Sequence, residues 1–142
     1  MTGPQAGILL AFDFGTQSIG VAAGSRAGGL PTPLSVIRVF RTGPDWDGID
    51  RLVGEWEPES FVIGLAYNGR GEHTVMSRRA AKFGRRLGER YHRPVHWIDE
   101  TLSTEAARHT LRESAPGRRR RKQDIDNTAA ALMLESFLNA QP

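Results

Sequence analysis

The chain has 142 residues, 39% hydrophobic and 25% charged, with a formal net charge of +3. That suits one folded domain, read here as residues 1–142. No apolar stretch is long enough to span a bilayer, no basic and apolar leader opens the chain, and cysteine is absent. This argues against a membrane helix, a secretory signal, a disulfide framework and thiolate chemistry, and makes a cytoplasmic protein the expectation.

Taken in chain order, Gly7 to Asp13 reads as a buried strand and Ser18 to Gly24 as its antiparallel partner, joined at Gly15. Leu34 to Phe40 alternates as a third strand. Asp45 or Asp47 can cap a helix running to about Glu57, with Trp46, Ile49, Leu52, Val53 and Trp56 at helical spacing and Pro58 ending it. Phe61 to Leu65 is a continuous apolar run, expected of a strand buried on both faces. A long helix follows from about Glu72 to Arg90, with Val75, Ala80, Phe83 and Leu87 inward and arginines outward. Val95 to Ile98 is a fifth strand, Ser103 caps a helix fading near Glu113, and the last helix runs from about Gln123 to Asn139. Three strands open as a meander and strands then alternate with helices. The expected fold is α/β and ribonuclease-H-like, a five-stranded mixed sheet flanked by helices.

The charge is unevenly spread. Residues 78–93 carry a net +6 and residues 118–122 a net +5, which leaves −8 elsewhere. Such segregation points to a polyanion, nucleic acid first. Arg78, Arg79, Arg85 and Arg86, with Arg118, Arg119, Arg120, Arg121 and Lys122, are the candidate phosphate contacts.

Asp13 closes an apolar strand beside a tight turn, where a metal ion or a phosphate could reach it. Asp99-Glu100 follows the fifth strand, where active groups gather in sheets of this kind. Asp126 lies in the first turn of the last helix and shares a face with Ala130, Met133 and Phe137. Asp124 shares a face with Thr128, Ala131 and Glu135 and looks toward solvent. An aspartate on a packing face is costly unless neutralised. Asp13, Glu100 and Asp126 together would repel, and Mg²⁺ or Mn²⁺ would relieve this with hard oxygen ligands. His109 could approach the site, and Tyr67 and Trp97 could stack on bases, although a packing role suits all three. His73, His92 and His96 have no metal-ligand spacing.

Four stretches resemble one family. Ala11-Phe12-Asp13-Phe14-Gly15-Thr16-Gln17-Ser18-Ile19-Gly20-Val21-Ala22 resembles the N-terminal motif of the YqgF family, the Holliday-junction-resolvase-like proteins also described as pre-16S ribosomal RNA nucleases. Ile63 to Gly71 resembles its central loop, Asp99 to Ala106 its third motif and Asp126 to Ala130 its fourth. The match covers nearly the whole chain in order. It implies a metal-dependent nuclease trimming the 5′ end of precursor 16S rRNA, with Asp13, Glu100 and Asp126 as the catalytic, metal-holding acids. Gln17 stands where lysine is common, Ala66 where proline is usual and Thr101 where arginine is usual, which weakens the expected grip on phosphate but removes no ligand. Cleavage of branched DNA, a non-catalytic nucleic-acid-binding module and a phosphate-holding ATPase-type domain are the competing readings. A homodimer is left open.

Overall fold

The computed structural model describes residues 5–67, 69–99 and 122–140, with the side chains of residues 5, 6 and 122–128 also outside the description. The elements are β1 (Gln5–Phe14), β2 (Ser18–Ser25), β3 (Thr32–Pro33), β4 (Ile37–Phe40), β5 (Gly43–Pro44), α1 (Trp46–Trp56), β6 (Pro58–Leu65), α2 (Val75–Tyr91), β7 (Val95–Asp99) and α3 (Lys122–Asn139). The helix expected from Ser103, with His109 and Thr101, falls outside the described residues.

The sheet runs β5-β4-β2-β1-β6-β7, and β3 also pairs with β2. β1 pairs antiparallel with β2 and parallel with β6, and β6 pairs parallel with β7. The sheet is therefore mixed, as expected, but it has seven strands rather than five. The additions, β3 and β5, are two residues long and contain Pro33 and Pro44. Proline cannot donate to a ladder and sits at sheet margins, so neither segment reads as a strand from sequence. The third strand also starts later than expected, at Ile37.

Alternation along β1 divides the core. Leu10 and Phe12 face α1 and α2, in a cluster with Ile49, Leu52, Phe61, Ile63, Phe83 and Leu87. Phe12 meets Phe61 and Phe83 edge-on, with ring centroids 5.9 and 5.6 Å apart. Leu9 and Ala11 face the other way, toward Met133, Leu134 and Phe137 of α3. β6 serves both faces, Phe61 and Ile63 on one and Val62 on the other, as its unbroken apolar run requires.

Local signals set the helix ends. The Asp45 side chain accepts from the Gly48 N–H at 3.3 Å, so Asp45 is the cap of α1 and Asp47 lies in its first turn. Glu57 closes α1 in the left-handed region, at φ 44°. α2 starts three residues later than Glu72 because Thr74 and Ser77 form a reciprocal capping box. That start corrects the expected inner face. Val75 is 64% exposed, whereas Ala80, Phe83 and Leu87 are buried.

Candidate active site

Asp13 is the penultimate residue of β1 and half-buried. It lies on the face of Leu9 and Ala11, the one α3 covers, because side chains alternate along a strand. Its partner on β2 is Gly20. On the β6 side, Phe12 pairs with Ile63, and the next residue is Gly64. Glycine therefore flanks Asp13 along both neighbouring strands. The turn that follows is tight for a definite reason. A Cβ on Gly15 would lie 2.6 Å from the Ser18 carbonyl oxygen, a backbone atom that cannot step aside. The hairpin then continues into β4, where the Val39 N–H donates to the Gln17 carbonyl at 3.0 Å.

α3 packs on the face of the sheet that carries Leu9, Ala11 and Val62. A Cβ on Gly24 would meet Leu134 at 2.8 Å and Leu138 at 3.3 Å, and Gly24 pairs with Leu9. The His96 ring, in the first half of β7, lies 5.1 Å from Phe137. Leu9 is at the middle of β1, and His96 is in register with Val62 and Ala11, so the C-terminal half of α3 sits over the middle of the sheet. Asp126 precedes Leu134 by eight residues, about 12 Å of helix. Asp13 follows Leu9 by four, about 13 Å of strand. The two lengths match, so a helix course along β1 would bring position 126 to the level of Asp13. The helix phase also agrees with expectation where it is described: Ala130, Met133 and Phe137 are buried, and Ala131 and Glu135 are half-exposed.

β7 ends at Asp99, paired with Leu65. Glu100 and the side chain of Asp126 lie outside the described residues. Among the described residues no three histidine or acidic side chains form a metal-holding group. Of the three expected acids only the Asp13 side chain is described, and a carboxylate is the kind of hard oxygen donor that Mg²⁺ or Mn²⁺ takes.

The loop after β6 is latched to α2 at this same end of the sheet. Thr74 donates its hydroxyl to the Ala66 carbonyl at 3.0 Å, and Tyr67 bridges to His73 with rings 5.1 Å apart, edge to face. Tyr67 therefore packs rather than stands free. Trp97, though 42% exposed, lies against Gly84, where a Cβ would come within 2.6 Å of its ring.

The arginines of α2 form an exposed surface, as expected: Arg78, Arg79, Arg85 and Arg86 all face solvent. Lys82, between them, is equally exposed. Arg90 differs. It makes a two-pronged pair with Asp50 at 3.0 and 2.9 Å and lies 5.1 Å from the Trp46 ring centroid. Arg90 and the Tyr91 hydroxyl, both bonded to Asp50, hold its carboxyl below the usual range. Arg118 to Arg121 are outside the described residues, and Lys122 is described only as the first residue of α3. On the α3 side, burial lowers the pKa of His96, with nearby Arg26 adding to the effect and Glu59 opposing it. Glu59 is itself lowered, first by its bond from Arg26 at 2.6 Å.

Sequence comparison adds three findings. Residues 7–140 match the RuvX family, described as Holliday junction resolvase. A protein of Enterobacter sp. (strain 638), provisionally named pre-16S rRNA nuclease, is 43% identical over 133 residues, 94% of this chain and 96% of the relative. One from Pseudomonas paraeruginosa (strain DSM 24068 / PA7) with the same name is 42% identical over 135 residues, 95% and 94% of the two chains. Among solved structures, T. thermophilus RuvC in complex with Holliday junction substrate superposes with a TM-score of 0.54 at 13% identity, covering 93% of this chain and 94% of that one. The fowlpox virus Holliday junction resolvase gives 0.54 at 11%, covering 94% and 99%. These two likenesses establish the resolvase-like fold.

Proposed function

The chain belongs to the RuvX family, and from that premise we propose that it is a divalent-metal-dependent nuclease that processes the 5′ end of precursor 16S rRNA. The name shared by relatives 42–43% identical over nearly the whole chain supports this choice of substrate. The observation that supports a catalytic role is the place of Asp13 at the end of β1, on the sheet face that α3 covers.

In this reading Asp13, Glu100 and Asp126 hold Mg²⁺ or Mn²⁺. The ion, when bound, activates a water and stabilises the leaving oxygen of a phosphodiester. Asp13 contributes a carboxylate whose position is fixed by the Gly15 turn and the β1–β2 ladder. The exposed cations of α2 bind backbone phosphates and not bases, together with Arg118 to Lys122, and so orient the strand without reading its sequence. Residues 1–142 act as one domain.

A second reading, cleavage of branched DNA, is favoured by the family's description. The deciding experiment incubates labelled precursor rRNA and a four-way DNA junction side by side, with Mn²⁺, with Mg²⁺ and with chelator. We expect metal-dependent cutting of the RNA near its 5′ end, and loss of that cutting by orders of magnitude in Asp13→Asn with an unchanged circular dichroism spectrum. Wild-type rates from Asp13→Asn, or cutting undiminished by chelator, overturn the catalytic assignment. Cutting of the junction alone overturns the RNA assignment.

A further inference from the structure

The face of the sheet opposite α3 carries a cavity that the nuclease reading does not use. It encloses about 120 Å³ between the end of β1, the entry to α1 and the outer side of α2. Its floor is aromatic: Trp46 stacks on Phe83 with centroids 5.6 Å apart and planes at 28°, and Phe14 lies 5.3 Å from the same ring. Its rim is cationic, formed by Arg79, Lys82 and Arg86. These three lie at i, i+3 and i+7, so they form one stripe on the helix. They are exposed, and among the described residues none of them makes an ion pair. Beyond Trp46 and Arg86 the surface continues into a shallower depression of about 410 Å³, bordered by Glu89 and Arg90.

We propose that this cavity holds one unpaired nucleobase of the substrate strand, in a nucleotide flanking the cleaved bond, with adjacent phosphates on Arg79, Lys82 and Arg86. The inference rests on the nuclease reading and assigns a subsite to it. Three arguments carry it. The volume is below the roughly 300–1,000 Å³ of pockets that enclose a whole small molecule, so it suits a planar ring whose sugar and phosphate stay outside. Base stacking on aromatic rings tolerates any base, as a processing enzyme gripping a strand by its backbone requires. The position is the third. Phe14 is the residue after Asp13, and the two side chains point to opposite faces of β1. A strand turning over the tip of β1 would present a phosphodiester to Asp13 on one face and a base to Phe14 and Trp46 on the other. Arg90, held by Asp50, lies over the Trp46 ring and steadies it.

The test is a binding measurement on the full-length wild-type protein in chelator, so that no cutting intervenes. Single-stranded RNAs spanning the 5′ cleavage region carry 2-aminopurine at one position at a time. We expect fluorescence quenching at one position, and a loss of affinity of roughly 5- to 150-fold when that base alone is replaced by an abasic unit. In Trp46→Leu the quenching should disappear, and the intact and abasic RNAs should bind alike. Lys82→Ala should lessen the log–log dependence of affinity on salt by about 0.7. Because Trp46→Leu could disturb α1, 5-iodouracil at the quenched position is also photolysed in the wild-type complex, with a crosslink to Trp46 or Phe14 expected. Quenching at no position, a crosslink confined to other residues, or an unchanged abasic penalty in folded Trp46→Leu overturns the subsite while leaving metal-dependent cleavage intact. Absence of cleavage with Mn²⁺ would overturn the nuclease reading, and the binding results would still stand or fall by themselves.

Discussion

The two faces of the sheet are built differently, and the contrast separates support from chemistry. Under α1 and α2 the sheet is covered by large interlocking rings, Phe12, Phe61 and Phe83, with Leu and Ile around them. Under α3 the core residues of the sheet are smaller and none is aromatic: Leu9, Ala11 and Val62. Ala11 pairs with Ala22 and Leu9 with Gly24, so the helix approaches closely enough for Leu134 to touch the glycine. A thick aromatic core resists deformation and holds β1 in place. A thin seam lets a helix approach the strands closely, where bulkier side chains would hold it off. Rigidity comes from one side and reach from the other.

Three measurements would break or sharpen that contrast. The largest effect is expected on activity from α3. Asp126→Asn should lower cleavage by orders of magnitude and Asp124→Asn should change it little, because only position 126 shares the buried stripe of Ala130, Met133 and Phe137. An essential Asp124 would mean that the phase seen from Ala129 onward does not persist to the start of the helix. The next effect is on stability. Phe12→Ala should cost about 3–5 kcal/mol, and Met133→Ala on the thin side should fall near the lower end of the roughly 2–5 kcal/mol range for such truncations. Denaturant midpoints would show this, and equal losses would remove the asymmetry. The smallest effect is on pH dependence. Burial lowers the His96 pKa in the folded chain, so the unfolded chain takes up the proton first as pH falls. Stability contributed by neutral His96 is therefore present above about pH 6.5 and declines below it. His96→Gln should flatten the stability curve between about pH 7 and 5.

Much of the fold was legible in the sequence because local chemistry and tertiary contact agree there. The run Phe61 to Leu65 needed apolar residues on both sides, and both cores use it. Asp45 caps α1 because it can reach Gly48. Legibility fails where long-range pairing decides. Pro33 and Pro44 oppose strand formation locally, yet Ala22 and Val39 pair with them. Val75 fits an apolar period, but the hydroxyls of Thr74 and Ser77 set the start of α2 and turn it outward. At the site, Asp13 was legible from its place at a strand end. The glycines beside it, Gly20 and Gly64, became meaningful only once the register was known. In sequence, Lys82 is one charge of a basic segment and Trp46 one apolar position of a helix, and only the fold brings them to one cavity with Phe14.

The order of the elements along the chain has a consequence in time. Synthesis delivers Asp13 early and α3, which covers the face of the sheet that Asp13 shares, last among the described elements. β1 itself lies between β2 and β6, so its hairpin partner emerges early and its parallel neighbour only after α1. Parallel pairing and the closing helix both require long-range loop closure, the slow part of folding. A nascent chain can thus bury Phe12 against Phe61 and Phe83 before α3 covers the other face of the sheet. If Asp126 completes the site as proposed, a nuclease produced on a ribosome would stay inert beside ribosomal RNA until that helix docks.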